Sequence, residues 1–127
     1  MVLKLHSAWM VVAARNWQSL VTFYGQLLNQ SPQPCISNVY AEFQLPGLRL
    51  GIFEPKASDE GEFAGCTSGS MSLCLEVENL EAAIAHLTQL GYPPAAEITQ
   101  ASHGREVYAR DPEGNRLILH QAIVANP

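Results

Sequence analysis

The feature that most constrains the fold is an internal repeat. Residues 46–53, PGLRLGIF, align with residues 113–120, EGNRLILH, at a constant offset of 67. A second match, at an offset of 63, relates the region around Asn16 to that around Asn79. The identical pairs include Gly47 and Gly114, Arg49 and Arg116, Leu50 and Leu117, Gln26 and Gln89, and Leu27 and Leu90. Two offsets that differ by only a few residues predict two copies of one unit, with a small insertion in the second.

Each copy predicts the element order β-α-β-β-β. In the first copy, a strand at 5–13 precedes a helix capped by Asn16, a short edge strand near Cys35, and a hairpin of 39–45 with 48–54. In the second, a strand at 70–77 precedes a helix capped by Asn79 and stopped by Gly91, and a short strand near Ala96 follows. A hairpin of 106–110 with 116–121 closes the copy through the turn Asp111-Pro112-Glu113-Gly114.

We therefore predict an α+β fold of two tandem βαβββ modules that form a cupped mixed sheet, with the helices on its outer face. The 127 residues are expected to form a single domain. Module 1 covers about residues 1–55, a linker rich in Gly, Ser and acids covers 55–69, and module 2 covers about 70–127.

Composition narrows the function classes. A formal net charge of −5 without a Lys/Arg run argues against a nucleic-acid partner. No apolar run approaches the length of a membrane span, so no membrane partner is expected. The cysteines Cys35, Cys66 and Cys74 have no CxxC spacing, which predicts free thiols in a reducing cytoplasm.

Strand parity separates two faces of the predicted sheet. One face is apolar and needs the helices as cover: Met10, Val12, Leu50, Ile52, Met71, Leu73, Leu75, Val77, Leu117 and Leu119. The other face is mixed: Trp9, Val11, Tyr40, Glu42, Gln44, Arg49, Gly51, Phe53, Ser72, Cys74, Glu76, Tyr108, Arg110, Arg116, Ile118 and His120. The mixed face could line a ligand cavity, and a solvated outer face or a dimer interface fits the same residues.

The chain resembles the vicinal oxygen chelate superfamily of glyoxalase I, bleomycin-resistance proteins and extradiol dioxygenases. The motif DPEGNRLIL at 111–119 matches the closing hairpin of that superfamily, and FYGQLL at 23–28 is similar to its "FY…LG" signature, with Leu28-Asn29 in place of Leu-Gly. The resemblance covers nearly the whole chain. It implies the paired-module fold and frequent dimers, whereas the chemistry of such proteins varies widely.

In metalloenzymes of that superfamily, four inward side chains bind a divalent ion. The resemblance places those positions at Trp9, Gly51, Ser72 and Ile118, which the two repeat offsets also relate in pairs. Indole, glycine and isoleucine offer no donor, and serine is a poor ligand. We therefore predict no metal and no cofactor.

Other chemistries remain possible on the mixed face. His120 has inward parity and is interpreted as a hydrogen-bonded pocket residue, while His103 is expected at a strand entrance or in a loop. Cys74 and His120 would form a thiolate–imidazole pair if they met, although a buried inert thiol is the alternative. Glu42 or Glu76 could be a general base near Tyr108, with its pKa raised by burial, or could pair with Arg49, Arg110 or Arg116.

Three functions remain open. The first is a metal-independent protein that binds a small-molecule ligand, as the bleomycin-resistance branch does. The second is a glyoxalase- or dioxygenase-like enzyme with an atypical site, and the third is an interaction module whose mixed face is a homodimer interface. The candidate ligand-binding residues are Trp9, Tyr40, Glu42, Phe53, Ser72, Cys74, Glu76, Tyr108, Arg110 and His120.

Overall fold

A computed structural model of the chain describes residues 3–64 and 69–123. The chain divides into two compact units, Met1–Gly65 and Cys66–Pro127. Cys66 and the neighbouring part of the predicted linker lie outside the described residues.

The first unit forms one mixed sheet with the strand order β1-β4-β3-β2. Its elements are β1 (Met10–Ala13), α1 (Trp17–Leu28), β2 (Cys35–Ile36), β3 (Tyr40–Leu45) and β4 (Leu48–Phe53). The strand β1 pairs in parallel with β4, because α1 carries the chain across to the far side of the β3–β4 hairpin. A 3₁₀ turn (Ala57–Asp59) and a one-turn helix α2 (Glu60–Phe63) follow, in a segment that we expected to be a structureless linker.

The second unit repeats this topology, with the strand order β5-β8-β7-β6. Its elements are β5 (Leu73–Glu76), α3 (Leu80–Gln89), β6 (Thr99–Ala101), β7 (Gly104–Arg110) and β8 (Arg116–Ala122). The α+β class and the two tandem βαβββ modules are thus confirmed. The joining of the two sheets into one cup stays a prediction.

The first strand of each unit is shorter than predicted. We expected strands at 5–13 and 70–77, but β1 begins at Met10 and β5 at Leu73. For residues 5–7 and 70–71, the cause is the length of the partner strand. In the parallel register, residues 5–7 and 70–71 would lie beyond the first residues of β4 and β8, where the chain turns and offers no ladder. The short strand expected near Ala96 lies instead at β6, because a tight turn at 102–103 sets its register with β7.

Alternation along the strands separates a helix-facing side from a mixed side, as predicted. Leu50, Ile52, Leu117 and Leu119 are buried on the helix-facing side. The prediction for Met71 was wrong: it precedes β5 and is 68% exposed. We call the opposite side of each sheet the helix-distal face.

The two helices are held to their sheets by related contacts. Asn16 and Asn79 accept hydrogen bonds from Ser19 and Ala82, which confirms both predicted N-caps. At the first residue of α1, the Trp17 indole N–H donates to the backbone carbonyl of Ile52 at 3.0 Å. At the first residue of α3, the Leu80 backbone N–H donates instead to the side-chain Oε1 of Gln121 at 2.8 Å. Each module therefore fixes its helix to its sheet by a hydrogen bond at the helix start.

Among the described residues, no helix combines the length and the apolar character that crossing a membrane requires.

Candidate functional site

The helix-distal face of the first sheet presents an aromatic ring beside a guanidinium. Trp9 lies one residue before β1 and is 46% exposed. The guanidinium carbon of Arg49 lies 4.6 Å from the centre of the Trp9 ring, within the range of a cation–π contact. Arg49 also donates through Nη2 to Ser7 Oγ at 3.1 Å. This pair is a surface on which a planar group could stack while an acceptor atom meets the guanidinium.

Glu42 is at the centre of a hydrogen-bond network on the same face. Its Oε1 accepts from the Tyr40 hydroxyl at 2.8 Å, and its Oε2 accepts from Gln44 Nε2 at 2.9 Å. Arg49 Nη1 lies 3.7 Å from Oε2, so the predicted ion pair is confirmed. The bonds from Gln44 and Tyr40 lower the pKa of Glu42. The alternative of a general base with a raised pKa is therefore wrong for Glu42.

Tyr40 occupies the space beside Gly51. A Cβ built on Gly51 would lie 2.8 Å from Cε1 of Tyr40 and closer still to its hydroxyl oxygen. Desolvation, and then the neighbouring Glu42 carboxylate, raise the pKa of Tyr40, which keeps the phenol protonated as the donor to Glu42. One of the positions where the resemblance places a metal ligand is therefore filled by a tyrosine ring.

Phe53 is covered from the segment after the first sheet. The ring of Phe63, at the end of α2, packs edge-on against Phe53 with centroids 5.1 Å apart. The linker has no hydrophobic periodicity, so this contact was not predicted. Phe53 therefore contributes to an aromatic cluster within the first unit.

In the second unit, Arg116 occupies the place that corresponds to Arg49. Its Nη1 donates to Ser72 Oγ at 3.1 Å and to the carbonyl of Gly69 at 3.0 Å. Ser72 lies one residue before β5, as Trp9 lies one residue before β1. In each unit, a guanidinium therefore contacts the first of the two expected metal-ligand positions, Trp9 or Ser72.

These contacts show whether the four expected ligand positions could bind the divalent ion of the superfamily's metalloenzymes. Trp9, Gly51 and Ile118 provide no donor atom, and the Ser72 hydroxyl already accepts from a cation. Neither unit offers an imidazole, thiolate or carboxylate at its two positions, and the guanidinium beside the first position of each unit would repel a divalent ion. The residues present do not fit that metal.

A chain of hydrogen bonds crosses the helix-distal face of the second sheet. His120 Nδ1 lies 2.7 Å from Glu76 Oε1, and His120 Nε2 lies 2.8 Å from His103 Nδ1. The backbone N–H of Ala122 donates to the other Glu76 oxygen at 2.7 Å. The bonds from His120 and Ala122 lower the pKa of Glu76. The alternative of a base with a raised pKa is therefore also wrong for Glu76. Of the two carboxylates considered as arginine partners, Glu42 forms the ion pair, and Glu76 bonds to His120 instead.

His120 does not activate the Cys74 thiol. Cys74 lies opposite Ile118 in the ladder, two residue pairs away from the Glu76–His120 pair. Both ring nitrogens of His120 bond elsewhere, to Glu76 and His103. Partial desolvation, followed by the charges of Glu106 and Glu76, raises the pKa of the Cys74 thiol. The thiolate–imidazole pair that the sequence left open is therefore not formed. The alternative of a buried thiol is also wrong, because Cys74 is exposed.

Tyr108 and Arg110 lie on the same face of β7. Tyr108 faces Ile118 and is 53% exposed, so its ring is available for contact. Arg110 lies opposite Arg116, and its Nη1 donates to the carbonyl of Gly114 at 3.1 Å, which ties it to the hairpin turn. Ligand binding by these residues stays a prediction.

Two residues missing from the predicted site lie beside His120. Glu106 is its direct ladder partner in β7, and His103 stacks on it with ring centroids 5.0 Å apart. The parity of Glu106 with Tyr108 and Arg110 was a signal that could have identified it. His103 lies in the turn before β7, as expected. The direction of its side chain depends on the turn geometry, which the sequence pattern did not predict.

Comparisons with known proteins agree on the fold. Residues 9–120 match the family described as a glyoxalase-like domain. No curated protein shows significant sequence similarity to the chain. Among solved structures, a glyoxalase/bleomycin resistance protein from Catenulispora acidiphila has a TM-score of 0.66 and 22% identity, over 91% of this chain and 97% of that one.

Two further structures extend this similarity. A glyoxalase/bleomycin resistance protein/dioxygenase family enzyme from Burkholderia phytofirmans has a TM-score of 0.77 and 13% identity, over 89% of this chain and 95% of that one. Lactoylglutathione lyase from Agrobacterium tumefaciens has a TM-score of 0.69 and 15% identity, over 92% of this chain and 94% of that one. Identities this low establish a shared fold and leave the chemistry to the residues of this chain.

Proposed function

Because this chain belongs to the glyoxalase-like domain family, we propose that it binds a small molecule on the helix-distal face of its first sheet. The observation that supports this most directly is the exposed Trp9 ring with Arg49 against it. Large aromatic side chains combined with a few directed polar groups are typical of ligand sites.

The chemistry of this face indicates the class of ligand. The Glu42 carboxylate already has Tyr40, Gln44 and Arg49 around it, so it is poorly placed to attract a cationic ligand. Arg49 makes one hydrogen bond within the described residues and keeps further N–H donors. We therefore propose a planar ligand that stacks on Trp9 and carries a carboxylate, sulfonate or carbonyl oxygen toward Arg49.

Binding is proposed to need no metal at Trp9, Gly51, Ser72 and Ile118. Support comes from the lack of a donor set at these residues and from the Tyr40 ring beside Gly51. The protein is further proposed to act in a reducing cytoplasm, which the free cysteines Cys35 and Cys74 support, and to form a homodimer.

The test is a thermal-shift screen of planar aromatic carboxylates and sulfonates, with 8-anilinonaphthalene-1-sulfonate as the first probe. The best compound is then titrated against wild type, Trp9→Ala and Ile98→Ala. We expect Trp9→Ala to weaken binding by at least about 30-fold, since an aromatic anchor contributes about 2 kcal/mol or more. Ile98→Ala, which truncates an exposed apolar side chain of the second unit outside the candidate residues, is the control and should bind as wild type does.

Circular dichroism must show that Trp9→Ala keeps its fold. Unchanged affinity in the folded Trp9→Ala variant would refute the assignment of the binding face. A dissociation constant that rises when EDTA is added would refute metal-independent binding.

An enzyme of this family with an atypical site is the second candidate. The observation that favours it is the close approach of His103, Glu106 and His120, whose side chains could bind a metal ion or transfer a proton. Lactoylglutathione lyase activity that appears with added Zn²⁺ or Ni²⁺ and disappears in His120→Ala would support this candidate. No turnover with any divalent ion would exclude that reaction.

A further inference from the structure

We propose that His103, Glu106 and His120 bind a divalent transition-metal ion on the helix-distal face of the second sheet. Each side chain offers one ligand atom, and these atoms lie within 4.8 Å of one another. The fold brings them together, because Glu106 and His120 are direct partners in the β7–β8 ladder and the turn before β7 carries His103. This site is separate from the proposed ligand face of the first sheet and does not depend on it.

The hydrogen bonds of His120 prepare one of its nitrogens for a metal. Glu76 accepts at Nδ1, at 2.7 Å, which places the proton of a neutral imidazole there and leaves the lone pair on Nε2. The Ala122 N–H fixes the Glu76 carboxylate in turn. A carboxylate behind a histidine is the usual outer contact of a metal-binding imidazole, since it sets both the tautomer and the ring direction.

The distance between the two histidines is close to that of a metal site. His120 Nε2 and His103 Nδ1 face each other at 2.8 Å. Two nitrogens bound to one tetrahedral zinc ion, at about 2.0–2.1 Å each, lie about 3.3 Å apart. To admit an ion between them, the rings need to separate by only about half an ångström, and His103 must move its Nδ1 proton to Nε2 so that Nδ1 can also bind. Because the His103 side chain is exposed, it can make this movement without disturbing the core.

The charges around His120 favour a cation. Across the sheet, His120 lies between Glu76 of β5 and Glu106 of β7, so a carboxylate flanks the imidazole on each side. This contrasts with the positions at Trp9 and Ser72, where arginines lie. Two imidazoles and a carboxylate suit Zn²⁺, Co²⁺ or Ni²⁺ rather than Mg²⁺ or Ca²⁺, which prefer oxygen ligands. Water would complete the coordination on the exposed side.

The test uses the full chain without an affinity tag, stripped with EDTA and then dialysed. Calorimetric titration with ZnCl₂ should show one ion per chain, and CoCl₂ should give a visible d–d absorption spectrum. The melting temperature should rise with Zn²⁺ and not with Mg²⁺ or Ca²⁺, because an ion that binds only the folded state stabilises it.

Variants assign the ligands. We expect His103→Ala, in an exposed turn, and Glu106→Gln to weaken Zn²⁺ binding at least tenfold, and Glu76→Gln to weaken it about 10–100-fold through His120. His6→Ala is the control for a histidine outside the cluster, and Cys74→Ser is the control for thiol binding. Both should bind as wild type does.

Three results would overturn the proposal. They are the lack of saturable Zn²⁺ binding, unchanged binding in both His103→Ala and Glu106→Gln, and loss of binding in Cys74→Ser or His6→Ala. Because the aromatic ligand is titrated both without and with EDTA, failure of the metal site leaves the test of the first sheet unaffected.

Discussion

Trp17→Phe tests how the first helix is held to its sheet. Trp17 is 2% exposed, and its indole N–H donates to the carbonyl of Ile52 at 3.0 Å in the core. Phenylalanine has no donor, so the Ile52 carbonyl, which lies opposite Ala41 in the ladder, loses one hydrogen bond at a net cost of about 0.5–1.5 kcal/mol, and the smaller ring packs less of the core. We therefore expect the free energy of unfolding to fall by about 2 kcal/mol. Trp17→Ala, which also removes the ring, should cost about 3–5 kcal/mol.

The chain contains only two tryptophans, which makes the assay selective. In Trp17→Phe, the exposed Trp9 is the sole indole, so unfolding is followed by far-ultraviolet circular dichroism in urea. In the control Trp9→Phe, the buried Trp17 is the sole indole, and its fluorescence reports the loss of the core. The control should unfold within about 1 kcal/mol of wild type, since it removes an exposed contact with Arg49. A loss below about 0.5 kcal/mol in Trp17→Phe would refute the argument from the hydrogen bond.

Two further predictions concern the second unit. Arg105 donates to Glu81 at 2.9 Å and lowers the pKa of that carboxyl from 4.5 to about 2, so the ion pair stabilises the fold above about pH 4.5 and is lost as the pH falls toward 2. Between about pH 5 and pH 2, the melting temperature of Glu81→Gln should therefore fall less than that of wild type. An equal fall would contradict the stabilising role of the Arg105–Glu81 ion pair. Gly104→Ala should destabilise the fold by at least about 1–3 kcal/mol, because residue 104 has a φ of 152° and an added Cβ would lie 3.0 Å from Ala122 Cα. Gly61→Ala, with nothing near its Cβ, is the matched control and should unfold as wild type does in the same urea titration.

The sequence predicted the modules well because several independent patterns agreed. Alternation along the strands assigned Leu50 and Leu117 to the buried side, and the repeat offsets assigned the same role to both. The caps Asn16 and Asn79 gave the helix starts to the residue. The strand bounds were predicted less accurately, because a strand extends only as far as its partner does. Pairing with a partner is not a local property of the sequence.

The candidate site was harder to predict, because parity assigns a residue to a face but not to a partner. Glu42 and Glu76 were both placed on the mixed face, yet one bonds to Tyr40 and the other to His120. Parity also could not show that His103 would turn back from its loop onto His120. Such contacts depend on the direction of whole side chains, which the backbone and the neighbouring residues decide together.

Each module holds its helix by an N–H···O hydrogen bond at the helix start, but the partners are reversed. In the first, the helix provides the side chain and the strand provides the backbone, from Trp17 to Ile52. In the second, the helix provides the backbone and the strand provides the side chain, from Leu80 to Gln121. The copies have therefore become non-interchangeable parts. A chimera that exchanged the two helices would bring two competing side chains to one junction and none to the other.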